Sequence, residues 1–286
     1  MAHIINLQAD ELLDKEFKCL NAGFVRLIDY MGGDESIVQA ARVSYGKGTK
    51  TVNEDRGLIR YLMRHQHTTP FEMVEFKFHV KLPIFVARQW IRHRTANVNE
   101  YSGRYSVMKD EFYVPGHDAI HYQSKGNRQG RAKDEVPAAL RQRVLEILTK
   151  AQGETYAEYE QMLDNDIARE LARVHLPLSL YTEWYWKIDL HNLFHFLALR
   201  LDPHAQYEIR VYAEAMAEIT SRVTPIAWEA FEDYSLKAEH FSRLEMCVLK
   251  EHLNTTPITK EYLESKGFGK READEFLEKL RALSKD

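Results

Sequence analysis

From Phe71 to Lys81 the chain alternates apolar and polar residues: Val74, Phe76, Phe78 and Val80 fall on one face, Glu75, Lys77, His79 and Lys81 on the other. A period of two marks a strand with one face buried and one wet. The fold must therefore contain a sheet with one face covered. Gly23 to Tyr30 reads as a second strand, carrying Phe24, Val25, Leu27 and Ile28. Leu176 to Trp186 is apolar enough for either a strand or a buried helix, and periodicity leaves both open.

Helices supply the cover. Asp34, after Gly32-Gly33, is a good N-cap for a helix through Ile37, Ala40, Ala41 and Val43. Asn53 can cap another, with Leu58, Ile59, Tyr61, Leu62 and Met63 on its apolar side. Pro83 suits the first turn of a helix carrying Ile84 to Arg92. Helical patterns follow over residues 135–163 (Gly153 being a tolerated weak point), Ile167 to Val174 ended by Pro177, Leu190 to Leu201, Gln206 to Val223 and Pro225 to Tyr234. The expected class is mixed α/β of the α+β kind: a central, mostly antiparallel sheet with helices, helix-rich in its second half.

Residues 116–134, rich in Gly, Gln, Asn, Ser and basic side chains, read as a long loop or insertion, a kind of segment that is usually functional or disordered. After about residue 236 the texture changes. Leu236 to Leu253 is amphipathic, and Thr256 to Leu283 reads as two short helices joined at Gly267-Phe268-Gly269. Two helices joined by a turn can bind DNA, but this segment is as acidic as it is basic, which favours a packing or assembly appendage. The expected organisation is a catalytic domain over 1–235 and a helical extension over 236–286.

At 286 residues the chain can bury a substantial core. A net charge of -4 argues against a general nucleic-acid binder, so any strong positive field is local and suits a small anionic ligand. The first residues lack the basic-then-apolar pattern of a signal peptide, and no apolar run is long enough to cross a bilayer. With two cysteines far apart, Cys19 and Cys247, a disulfide framework is not expected, and a reducing cytoplasm is. Neither cysteine has basic or histidine neighbours that would lower a thiol pKa.

The positive charge is concentrated in Arg88 to Ser106, which holds Arg88, Arg92, Arg94 and Arg104, no lysine, and a single acid, Glu100. Arginine without lysine points to planar, bidentate recognition of phosphate or carboxylate. On a helix, Gln89 and Arg92 are three apart and can reach one ligand. His93 to Arg104 reads as a loop held by that helix, with Gly103 permitting close backbone approach. Ser102 is either a nucleophile or a phosphate donor; no nucleophile-elbow pattern surrounds it, and the hydrogen-bonding role is preferred. Arg169 and Arg173 are four apart, with Glu170 available to pair with one of them. Arg200, ending an apolar helix that bears His191, Asn192 and His195, reads on its own as a boundary residue. His65, His67, Glu72 and His79 lack zinc-type spacing, so no metal is expected.

Arg92-His93-Arg94, seven residues and then Ser102 resembles the signature of flavin-dependent thymidylate synthases. Pro83 to Ile91 before it, Gly103 to Ser106 after it, His67-Thr-Thr-Pro-Phe-Glu72, Ala168 to Arg173, Leu176-Pro-Leu, Phe196 to Arg200 and His204 to Glu208 extend the likeness over roughly residues 20–235. The resemblance implies reductive methylation of dUMP to dTMP, with 5,10-methylenetetrahydrofolate as carbon donor and FAD as redox cofactor, reduced by NADPH, in a homotetramer whose sites combine subunits. It implies no protein nucleophile. By position, Thr69, Glu72, Arg92, His93, Arg94, Glu100, Asp189 and His195 would contact the flavin, Asp189 and His195 standing where the family often has Asn. Gln89, Arg92, Glu100, Ser102, Gly103, Arg104, Arg173 and Arg200 would bind dUMP, and Arg200 would stabilise the ionised uracil. The reading from another class is a nucleotide- or flavin-binding regulatory protein without catalysis.

Overall fold

A computed structural model describes residues 5–43, 52–126, 130–252 and 258–283. The alternating segment forms β3, Glu75–Pro83, in one five-stranded sheet with β1 Glu16–Cys19, β2 Gly23–Met31, β4 Asn97–Glu100 and β5 Tyr181–Asp189. The order is β1-β2-β3-β5-β4, and every neighbouring pair is antiparallel. Phe76 lies opposite Ile188, Phe78 opposite Trp186 and Val80 opposite Trp184. All six are buried, while Lys77, Tyr185 and Lys187 face out.

The covering layer contains α1 Leu7–Asp10, α2 Asp34–Arg42, α3 Val52–Arg64, α4 Ile84–Trp90, α7 Leu190–Arg200, α8 Tyr207–Val223 and α9 Pro225–Phe231. A second, smaller cluster forms around Tyr159 of α5 (Ala138–Asp164) and Ala172 of α6 (Arg169–Ala172). In the main core Trp90 is fully buried, with ring centroids 5.6 Å from Trp184, 5.2 Å from Trp186 and 4.8 Å from Phe196. Burying a side chain of that size contributes roughly 1.5–3 kcal/mol or more. Trp90 thereby anchors the last turn of α4, and Arg88 and Arg92 on either side of it are left exposed.

Several sequence expectations move. Phe71 to Met73 belong to a 3-10 turn, Thr69–Met73, so the strand starts four residues later than the alternation suggests. Pro83 ends β3 and stands before α4 as its N-cap. That helix stops at Trp90, because the chain must turn back to lay β4 along β5. Residues Asn97–Glu100, read as loop, are therefore an edge strand whose partner is remote in sequence. Asp34 is the first residue of α2 and Gly33 its N-cap; Gly32, at φ +80, makes the turn. The Asp34 carboxylate instead accepts from the N–H groups of Ile226 and Ala227, each at 2.9 Å, capping α9 across the fold. Helix α3 begins at Val52, one residue before the expected cap. Of Leu176 to Trp186, the part from Tyr181 on is strand, within β5, and is paired on both sides, while Leu176 to Leu180 form the turn before it.

Of the expected 116–134 insertion, residues 127–129 lie outside the described residues; the rest holds a short 3-10 turn, His117–Ala119, and a bridge between Gln123 and Arg131. After a π-helical turn, Glu232–Leu236, come α10 Arg243–His252, α11 Lys260–Ser265 and α12 Lys270–Leu283, with 253–257 and 284–286 outside the described residues. No described helix is long and apolar enough to cross a membrane.

Candidate active site

The sheet and α7 distribute the expected residues over three neighbourhoods. The first lies where α4 ends beside the C-terminal turn of α7. There Arg200 donates from Nε to Nε2 of His93 at 3.1 Å. A guanidinium only donates, so Nε2 carries no proton and the neutral ring holds its hydrogen on Nδ1. Burial, the Arg200 charge and then His195 lower the His93 pKa to about 4. Burial also lowers that of Arg200. His195 stands 5.9 Å from His93, ring to ring, and Phe196 4.9 Å. Arg88, Arg92 and Arg94 are exposed and form no ion pair among the described residues. Gln89 Oε1 is buried without a partner. An orphaned buried acceptor costs about 1–3 kcal/mol unless a ligand or water supplies a donor.

The second neighbourhood joins the end of β4 to α6. Glu100 accepts from the Thr182 hydroxyl of β5 at 2.8 Å. The following loop turns on Ser102, whose Oγ accepts from the Arg104 N–H at 3.3 Å and whose carbonyl accepts from Tyr105 and Ser106. Two tyrosines three apart on α5 pin it: Tyr159 OH accepts from Met108 N at 3.1 Å, and Tyr156 OH donates to Met108 O at 2.8 Å. Gly103 is buried; a Cβ there would come 2.8 Å from Met108 Sδ and 3.1 Å from Arg173 Cδ. The bare backbone is what lets the Arg173 side chain lie across this loop. Glu170 pairs with Arg104 at 3.2 Å rather than with Arg169 or Arg173. Arg169 donates to Tyr105 O at 2.9 Å instead, which leaves Arg173 without an ion-pair partner among the described residues.

Thr69 and Glu72 make up the third, on the 3-10 turn that packs against α7 near Asp189. Asp189 caps α7, accepting from Asn192 N at 2.9 Å and from Asn192 Nδ2 at 2.6 Å. Its carboxylate thus has a structural role independent of any ligand. Asp189 and Arg200 bracket the eleven residues of α7, so they stand about 16 Å apart at 1.5 Å per residue. Within one chain the Thr69–Glu72–Asp189 group and the Arg200–His93 group do not converge.

A cavity of 360 Å³ lies between these ends. Phe71, Phe194 and Phe231 line it, with His67, Thr68, His191 and His195 around them. Phe194 and Phe231 stack at 4.2 Å, 4° from parallel. Aromatic walls and imidazole edges fit a flat heteroaromatic ring, as a flavin has. His195 touches both the cavity and His93.

Four contributors, Thr182, Tyr156, Tyr159 and His191, were not singled out from sequence as site residues. Thr182 has no local signal, since its link to Glu100 exists only through the β4–β5 ladder. Tyr156 and Tyr159 did carry one, two phenols on one face of a long helix. His191 was visible on α7 but not as a cavity wall, whereas His195, four residues on, was expected to contact the flavin. Burial pushes the Cys19 thiol up to about 12, so it is no nucleophile at neutral pH.

A sequence model of the family described as thymidylate synthase complementing protein matches residues 26–226. A flavin-dependent thymidylate synthase of Treponema denticola is 56% identical over 270 residues, 94% of this chain and 98% of that protein. One from Ehrlichia ruminantium is 53% identical over 277 residues, 97% of this chain and 92% of that protein. Among solved structures, the UMP/dUMP methylase PolB of Streptomyces cacaoi bound with 5-Br dUMP superposes with a TM-score of 0.70 at 34% identity, covering 77% of this chain and 99% of that one.

Proposed function

Because the chain belongs to the family of flavin-dependent thymidylate synthases, we propose that it converts dUMP to dTMP with 5,10-methylenetetrahydrofolate as carbon donor and FAD, reduced by NADPH, as redox cofactor. The observation that carries the finer reading is the Arg200–His93 contact: a half-buried guanidinium held by a neutral imidazole, next to arginines with no acid to neutralise them.

When bound and reduced, the flavin supplies the hydride that completes the methyl group. The remaining tasks fall to side chains. Arg200 presents positive charge to the uracil edge and stabilises the anion formed when N3 ionises, which lowers the barrier electrostatically. His93 aims it. Burial of Arg200 strengthens the effect, because water screens the interaction less. Gln89, Arg92, Ser102, Gly103, Arg104 and Arg173 bind dUMP. Arg173, without an acid partner, and Arg104, whose exposed pair with Glu170 is weak, suit its phosphate. Thr69, Glu72, Arg92, His93, Arg94, Glu100, Asp189 and His195 hold the flavin. Glu100, bonded to Thr182, serves both ligands. The homotetramer in which each site draws on more than one chain rests on membership of the family. No protein nucleophile is required, in keeping with the buried, high-pKa Cys19 and the hydrogen-bonding role of Ser102.

The test is release of tritium from 5-tritiated dUMP in reactions lacking the folate, FAD or NADPH in turn. Full reaction requires all three. Arg200→Ala retains flavin and loses most turnover; tritium release by that variant at the wild-type rate would overturn the role given to Arg200.

A further inference from the structure

We propose that the C-terminal extension is a working part of the ring-binding cavity: α12 fixes the wall formed by Arg64 and Tyr234, and His240 offers a ligand contact at the rim. The inference rests on the reading of this cavity as the place where a flat heteroaromatic ring binds.

Three of the residues lining the cavity, Tyr234, Ser235 and His240, follow α9, outside the 26–226 stretch that the family model matches. Arg64 lines it too, at the end of α3. Neither Arg64 nor Tyr234 is held only by its own surroundings. Glu275 of α12 accepts from Arg64 Nε at 2.8 Å and sits 3.1 Å from His65 Nε2. Glu272, one turn earlier on α12, accepts from Arg60 at 3.0 Å and is bonded to the Tyr234 hydroxyl. That hydroxyl in turn accepts from Arg60 at 3.0 Å and from Arg64 at 3.1 Å. The two guanidiniums lie over the Tyr234 ring, 5.0 and 5.6 Å from its centroid.

Both arginine side chains are only 9% exposed. Arg60 also pairs with Glu229 and Asp233, but the carboxylate that Arg64 meets is Glu275 of α12; a buried guanidinium deprived of its carboxylate is costly, so α12 keeps the Arg64 side of this wall in shape. The bond from Arg64 holds Glu275 below the usual carboxylate range, which keeps the pair charged at neutral pH. A loosely attached appendage would make rim contacts with exposed lysines. This one instead places two acids on two buried arginines, one of which lines the cavity. With the stacked Phe194 and Phe231, His195 and His240 all lining the cavity, the wall suits the polar edge of a flavin or of a reduced pterin.

The experiment titrates full-length protein with FAD, followed by flavin fluorescence, and separately with 5-formyltetrahydrofolate, followed by calorimetry. It compares wild type, the double variant Glu272→Gln/Glu275→Gln, and His240→Ala, with the ligand-free melting temperature of each. The double variant is expected to bind at least one probe about tenfold more weakly, the size of effect of losing a charged hydrogen bond. His240→Ala is expected to bind the same probe several-fold more weakly. The probe affected tells flavin from pterin. Wild-type affinity for both probes in a folded double variant overturns the proposal. Should the double variant not fold, unchanged affinities in His240→Ala, an exposed position, overturn it instead. Wild-type protein that binds neither probe overturns the ring-site reading, and the role of the extension with it.

Discussion

Arg200 shows how one contact changes the reading of a residue. At the end of an apolar helix it has the pattern of a snorkelling side chain, and by sequence position alone nothing separates it from one. In the fold its Nε points at His93, more than a hundred residues away, and the side chain is partly buried. The consequence is a positioned cation. His93→Ala should leave Arg200 free to rotate and lower kcat on the order of tenfold to a hundredfold, the effect of misplacing a catalytic group. His93→Gln, whose side-chain oxygen can accept the same bond, should recover part of that loss. Steady-state kcat and KM for dUMP check this, and equal kcat in the two variants would remove the positioning role. A second readout is acid stability. The folded pKa of His93, about 4, lies below the ordinary 6.5. Between those values the unfolded imidazole takes up a proton that the folded one refuses, so stability falls as pH drops through this window. Urea midpoints compared at pH 7 and pH 5 should show a smaller drop in His93→Gln than in wild type.

Elements here are joined by contacts that no local pattern announces. Asp34 has the chemistry of a helix cap and does cap a helix, but that helix is α9, nearly two hundred residues on. Burial raises its pKa to about 6 while the two N–H donors pull the other way. Asp34→Ala should destabilise the fold by about 1–2 kcal/mol, the range for a lost cap, and Asp34→Asn by clearly less. Thermal or denaturant unfolding measures both; an unchanged midpoint in Asp34→Ala would show that the cap is unnecessary. The edge strand β4 is a similar case. Asn97 to Glu100 lack strand character because all four residues are exposed, so their conformation is set by the ladder to β5 and not by burial. By contrast β3, α7 and α8 were legible within a few residues, because each buries one face and so writes its period into the chain.

At the scale of the whole molecule, one chain gathers the arginine, glutamate and serine groups but keeps Thr69, Glu72 and Asp189 at the far end of α7 from Arg200. The proposed homotetramer, with sites completed between chains, predicts a sedimenting mass near four chains of 33.5 kDa. They also predict complementation. Glu72→Ala and Arg200→Ala, each impaired alone, should regain partial activity when co-expressed, because some mixed sites then receive both wild-type residues. Activity absent from mixed oligomers would mean that one chain supplies both.

The sequence by itself determined the family chemistry, most of the described helices and two of the five described strands, β2 and β3. Clustered arginines without acids, an ordered series of motifs and regular apolar periods are local properties that survive without coordinates. Only the tertiary structure decided that His93 carries Arg200, that Asp34 caps α9, that Glu170 serves Arg104 and that two acids of α12 hold Arg60 and Arg64. Those pairings depend on directions and distances between side chains far apart along the chain. A hydrogen bond or ion pair is worth having only at a few ångströms, and no spacing in the sequence encodes that separation.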